Sequence, residues 1–78
     1  MSRSIRRPGG LARRSAALQE NDAAAQQLIV QSEEYNAMGE EPAGWQAACD
    51  RANRAAANKS LPKGAKNAWD IVDEHFGE

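Results

Sequence analysis

The sequence predicts a small all-α protein: a helical bundle or hairpin with a third C-terminal helix, preceded by a flexible basic N-terminal arm. Three observations carry this. Alanine supplies half of the apolar residues in a 78-residue chain, and it is the best helix former. Apolar positions recur at spacings of three and four, the period of one helix face. Pro and Gly fall at the ends or in the first turns of those segments rather than in their middles. Length allows one domain, assigned to residues 11–78, with 1–10 as the arm because Pro8, Gly9 and Gly10 offer no helical continuity.

The first helix is expected from about Leu11 to Met38. Its stripe reads Leu11, Leu18, Ala25, Leu28, Ser32 and Tyr35, close to a seven-residue rhythm. The run Leu28-Ile29-Val30 could also serve a strand, but it is short and flanked by Ala and Gln. Gly39 supplies the stop, since it tolerates the left-handed conformation of a helix C-terminus. A second helix is expected from Pro42, in its first turn, to about Asn58. Its face is Trp45, Ala48, Cys49, Ala52, Ala55 and Ala56, small residues behind one large anchor. Ser60 is a candidate cap for a third helix, with Pro62 in its first turn, an apolar face of Ala65, Ala68, Trp69, Val72 and Phe76, and Gly77 at its end.

The near-zero net charge of −1 hides an asymmetry. The first nineteen residues hold five Arg (Arg3, Arg6, Arg7, Arg13 and Arg14) and no acid, whereas the C-terminus holds Asp70, Asp73, Glu74 and Glu78. Helices favour acids early and bases late. Helix one reverses this with Arg13 and Arg14 early and Glu33 and Glu34 late; helix three reverses it with Lys63 and Lys66 early and Asp70, Asp73 and Glu74 late. A Lys66–Asp70 pair is one local remedy, in the weaker i, i+4 orientation. The other is opposite charge from elsewhere, such as an antiparallel second copy. An up-down-up bundle by itself would set like charges side by side.

Few residues carry chemistry. His75 is the only histidine, and with nearby carboxylates it falls short of the three or four N or S ligands of a zinc site. Cys49 lies on an apolar face with no base tied to it, and reads as a small packing residue. No G-x-S-x-G motif, phosphate loop or paired catalytic carboxylates are evident. Neither catalysis, a metal, a cofactor nor a small-molecule substrate is therefore expected. The lone cysteine fits a reducing, cytoplasmic compartment. No run of about 18 apolar residues forms a membrane span, and residues 1–19 lack the apolar region of a secretory signal.

What remains is binding. The expected role is a non-enzymatic protein–protein interaction module: an adaptor, inhibitor or assembly protein, including a component of a larger assembly, that docks on a target or on itself. Small size without chemistry suits an accessory protein of a bacterium or phage. The expected surface combines Trp45, Ala48, Ala52 and Ala55 with the charged ends Arg13, Arg14, Asp70, Asp73 and Glu74; Trp69 is the expected core anchor and Trp45 the one shared with a partner. The alternative is a nucleic-acid-binding factor using Arg3, Arg6, Arg7, Arg13 and Arg14, with Arg51, Arg54 and Lys59 extending the patch. Leu61-Pro62-Lys63-Gly64-Ala65-Lys66 followed by Trp69 is similar to the opening of small ChaB-like bacterial and phage proteins. That similarity covers under a fifth of the chain and implies nothing about the remainder.

Overall fold

The computed structural model describes residues 10–77, and their side chains from Arg14 onward. Three helices follow in order: α1 (Gly10–Met38), α2 (Trp45–Ala56) and α3 (Ala68–Gly77). Of the expected arm, residues 1–10, Gly10 instead opens α1, while residues 1–9 with Arg3, Arg6 and Arg7 lie outside the described residues, as does the Arg13 side chain.

Nothing between Leu11 and Met38 interrupts α1, because that stretch holds neither Gly nor Pro. Its 29 residues extend about 44 Å. Gly39 ends it as expected. With φ at +77° its N–H donates to the Tyr35 carbonyl at 2.9 Å, a left-handed cap that side-chain-bearing residues adopt only with strain. The chain then turns through Pro42, whose carbonyl accepts the Trp45 N–H at 3.1 Å. Pro42 therefore belongs to the turn before α2 rather than to its first turn, and Gly44 takes the N-cap position. At the other end α2 stops at Ala56, short of the expected Asn58.

The third helix starts eight residues after its expected cap at Ser60. The Ser60 N–H instead bonds Asn58 Oδ1 at 2.8 Å, and the Ala65 N–H bonds the Pro62 carbonyl at 3.1 Å in a turn with Gly64 at φ +86°. A residue of that handedness cannot sit inside a right-handed helix, so Pro62 opens a turn and the helix waits for the next cap. Asn67 provides it. Its Oδ1 accepts the Asp70 N–H at 2.9 Å, while Asp70 Oδ2 accepts the Asn67 N–H at 3.3 Å, a reciprocal capping box. Asn67→Ala is expected to cost about 0.5–2 kcal/mol, read as a lowered urea midpoint with unchanged slope.

This later start also changes the electrostatics of α3. Lys63 and Lys66 fall outside the helix, Asp70 lies in its first turn and His75 in its last. Asp70 and His75 therefore agree with the helix dipole, while Asp73 and Glu74 remain in its C-terminal half as expected. The expected Lys66–Asp70 pair does not form, because Asp70 is occupied in the cap and Lys66 reaches Glu74 instead.

Contacts between the helices give the topology. Arg51 of α2 meets Glu20 and Gln27 of α1, and Trp45 meets Tyr35, so α2 runs antiparallel to α1. The Asn21 side chain meets the Lys66 carbonyl, and Glu33 lies 3.6 Å from His75, so α3 runs parallel to α1. The bundle is up-down-up.

Its interior consists of alanine. Ala24, Ala25, Ala48, Ala52, Ala55 and Ala68 surround Leu28, and Trp45, Cys49, Ile71 and Val72 pack against that cluster. The small side chains that line most of this interior let helix axes approach toward the short end of the usual 8–10 Å. The expected stripe of α1 is corrected accordingly. Ala25 and Leu28 are buried, but Leu18 and Tyr35 are exposed, and the seam runs through Ala17, Asn21, Ala24, Ala25 and Leu28. Ser32 is half-buried, and the Leu11 side chain lies outside the described residues.

Candidate interaction surface

The buried alanine interior determines which surfaces are left for other molecules. Ala48, Ala52 and Ala55, expected to meet a partner, are 0–3% exposed because α1 and α3 already cover them. That face of α2 is corrected from docking surface to core. The roles expected of the two tryptophans are also reversed. Trp45 is half-buried, packs on the core and meets Tyr35 edge to face at 5.1 Å between ring centres. Trp69 is 39% exposed, held at the margin of α3 by a 2.8 Å bond from its Nε1–H to Asn53 Oδ1 of α2. Helical spacing puts Phe76, seven residues on, along the same edge, and it is 43% exposed. Leu18, Val30, Tyr35 and Met38 add exposed apolar surface on α1.

Polar residues lock the helices together at two places that sequence reasoning missed. Asn21 is 1% exposed, and its Nδ2 donates to the Lys66 carbonyl at 2.7 Å, tying α1 to the segment that leads into α3. Glu20 and Asp22 flank it in the sequence, and only its helical register with Ala17, Ala24 and Leu28 hinted at burial. The other lock is Arg51. Its Nε and Nη2 donate to Glu20 Oε2 and Oε1 at 2.5 and 2.8 Å, and its Nη1 donates to Gln27 Oε1 at 2.7 Å. This forked geometry matches a planar guanidinium to a carboxylate. Arg51 is thereby removed from the basic patch expected along helix two.

The Arg51 hydrogen bonds hold the Glu20 carboxyl below its ordinary pKa, outweighing a smaller opposing effect of burial. Glu20 therefore binds its proton less readily folded than unfolded. Its contribution to stability is present above the ordinary glutamate pKa of about 4.3 and is lost as pH falls through the depressed folded value. Urea titrations of the wild type and Glu20→Gln are expected to differ at neutral pH and to converge in acid.

Burial, with Asp50 and Glu41 nearby, pushes the Cys49 thiol upward and keeps it protonated. A nucleophilic cysteine needs the opposite shift. The polar face of α3 forms an open groove lined by Lys66, Asp70, Asp73, Glu74 and Gly77, with Lys66 and Glu74 paired inside it. Among the described residues no three His, Cys, Asp or Glu side chains converge to hold a metal ion, and no helix is long and apolar enough to cross a membrane.

The expected charged ends separate along the bundle. Glu33 and Glu34 of α1 share one end with the α1–α2 connection and the last turns of α3. There Glu40, Glu41, Asp73 and Glu74 are exposed. At the opposite end Arg14 is exposed, together with Arg54 of α2 and Lys59 and Lys63 of the α2–α3 connection. The signal was available in the sequence as blocks. No Lys or Arg occurs from Ser15 to Asp50 or from Asn67 to Glu78, and no Asp or Glu from Arg51 to Lys66. No protein-family model, no curated protein and no solved structure matches this chain.

Proposed function

We propose that this chain is a non-enzymatic protein-interaction module that docks through the Trp69–Phe76 edge of α3, flanked by its charged ends. The observation that supports this reading is an inversion of ordinary packing. The buried apolar positions are mostly alanine, while Trp69, Phe76, Val30 and Met38 stand 39–54% exposed. Large aromatic residues are the usual anchors of protein interfaces. An exposed aromatic pair on one helix edge carries apolar area that a partner can remove from water.

A second reading, nucleic-acid binding, is favoured by the exposed Arg14, Arg54, Lys59 and Lys63 at one end, where residues 1–9 with Arg3, Arg6 and Arg7 also join α1. Affinity capture from a lysate with and without nuclease separates the two. Retention of a protein that survives nuclease and is lost with Phe76→Ser supports docking through α3. Recovery of nucleic acid alone, abolished when Arg3, Arg6 and Arg7 become Gln and falling steeply with salt, would overturn it in favour of phosphate binding.

A further inference from the structure

We propose that the partner of the Trp69–Phe76 edge is a second copy of this chain, lying alongside in the opposite direction, so that the basic end of each meets the acidic end of the other. The inference rests on the interaction-module reading and names its partner.

Charge complementarity within one chain is the first reason. Arg14 and Glu33 lie about 28 Å apart along α1, nearly three times the screening length of about 10 Å at 0.1 M salt. The two ends therefore cannot neutralise each other within one molecule. The local remedies are already in use elsewhere: Arg51 is bound by Glu20, and Lys66 by Glu74. What is left exposed is a basic excess at one end, Arg14, Arg54, Lys59 and Lys63 against Asp22 and Asp70, and Glu34, Glu40, Glu41 and Asp73 at the other. Parallel α1 and α3 set Asp73 and Glu74 near Glu33 and Glu34, so the fold gathers acid at that end, while Asp70 alone of the α3 acids lies toward the other. An identical chain turned end for end satisfies both ends at once.

The position of the apolar residues is the second reason. Trp69 and Phe76 lie on the flank of α3, about 10 Å apart along its axis, not at the tip of the bundle. A flank contact pairs molecules side by side. Two-fold pairing on one flank is self-complementary and closes at the dimer, whereas end-to-end contact would continue as a chain. A side-by-side antiparallel pair uses the apolar edge and both charged ends in a single arrangement.

The test is the mass of the full chain in solution by sedimentation at low and high salt, for the wild type and two charge-reversed variants. One variant carries Arg54→Glu, Lys59→Glu and Lys63→Glu; the other carries Glu34→Lys, Glu40→Lys and Glu41→Lys. The wild type is expected to form a dimer at tens of micromolar, consistent with affinities of small specific interfaces. Its dissociation constant should rise about tenfold between low and high salt. Each variant alone should be monomeric, and an equimolar mixture should restore the dimer. Phe76→Ser, with helix content checked by circular dichroism, should also be monomeric.

A wild type that stays monomeric at every concentration overturns the self-pairing, as does one that grows into open chains or a mixture that fails to recover. If the wild type is monomeric while lysate capture still depends on Phe76, the interaction-module reading stands with a foreign partner. If capture also fails, both fall.

Discussion

Leu28→Ala is expected to lower stability by about 2–5 kcal/mol, the range for truncating a buried leucine when its surroundings relax only partly. Among the described residues Leu28 is the one large apolar side chain under 2% exposed, Ile29 following at 6%. Its neighbours in the cluster are alanines, whose side chains have no rotamers with which to fill the space. A domain of this size has on the order of 4–12 kcal/mol to lose, so one substitution removes a large part of the total. Each kcal/mol moves Tm by about 4–8 °C in a domain this small. Two residues on, Val30 is half-exposed. Val30→Ala should stay within about 0.5 kcal/mol, because it leaves no cavity and improves helix propensity. Thermal melts of the two variants side by side check the contrast. Equal effects would mean that Leu28 does not anchor the interior.

Ala52→Leu is expected to be as damaging from the opposite direction. Overpacking ordinarily costs about 1–3 kcal/mol, with worse cases where neighbours cannot yield. Ala52 is 0% exposed in the middle of α2 and belongs to a cluster with Ala24, Ala25, Ala48 and Ala55. No neighbouring alanine can shrink or swing aside, so the added atoms fit only if whole helices separate, and every other alanine contact loosens with them. The result should lie at or above the top of the ordinary range, with a shallower thermal transition. Ala47→Leu on the exposed face of the same helix should change stability by no more than about 0.5 kcal/mol. If Ala52→Leu were tolerated equally well, close packing of alanines would not be what holds α2 in place.

These two effects explain why parts of the molecule were legible from sequence and others were not. Elements governed by local chemistry were readable. The course of α1 follows from an unbroken run of helix formers, and its end follows from Gly39. Where two local signals competed, the reading failed. Ser60 and Pro62 resemble a helix start, but Gly64 takes the left-handed conformation, and the reciprocal Asn67–Asp70 cap decides the true one. The face of α2 was also read correctly as a pattern, with Ala48, Ala52 and Ala55 on one side. Its use was not readable, because an alanine face fits another helix of the same chain as well as a foreign one.

The candidate surface was legible to a similar degree. Asp73 and Glu74 are exposed at the end opposite Arg14, but Asp70, expected with them, lies in the first turn of α3, toward the Arg14 end. The roles of the tryptophans were not, since Trp45 and Trp69 each follow helical spacing and differ only in what lies across from them. Asn21 and Arg51 were missed for the same reason: a polar residue becomes a lock between helices only when a carbonyl or a carboxylate from a distant segment arrives opposite it.

By itself the sequence determined the helical class, the end of α1 at Gly39, the small-residue face of α2 and the charge blocks, because propensity, capping and composition act over a few neighbouring residues. Only the tertiary structure decided that alanines would fill the interior while Trp69 and Phe76 stayed outside, that Glu20 would claim Arg51, and that like charges would gather at each end. Those outcomes depend on the direction and register in which three helices pack, and packing is set by close contact between residues far apart in the chain.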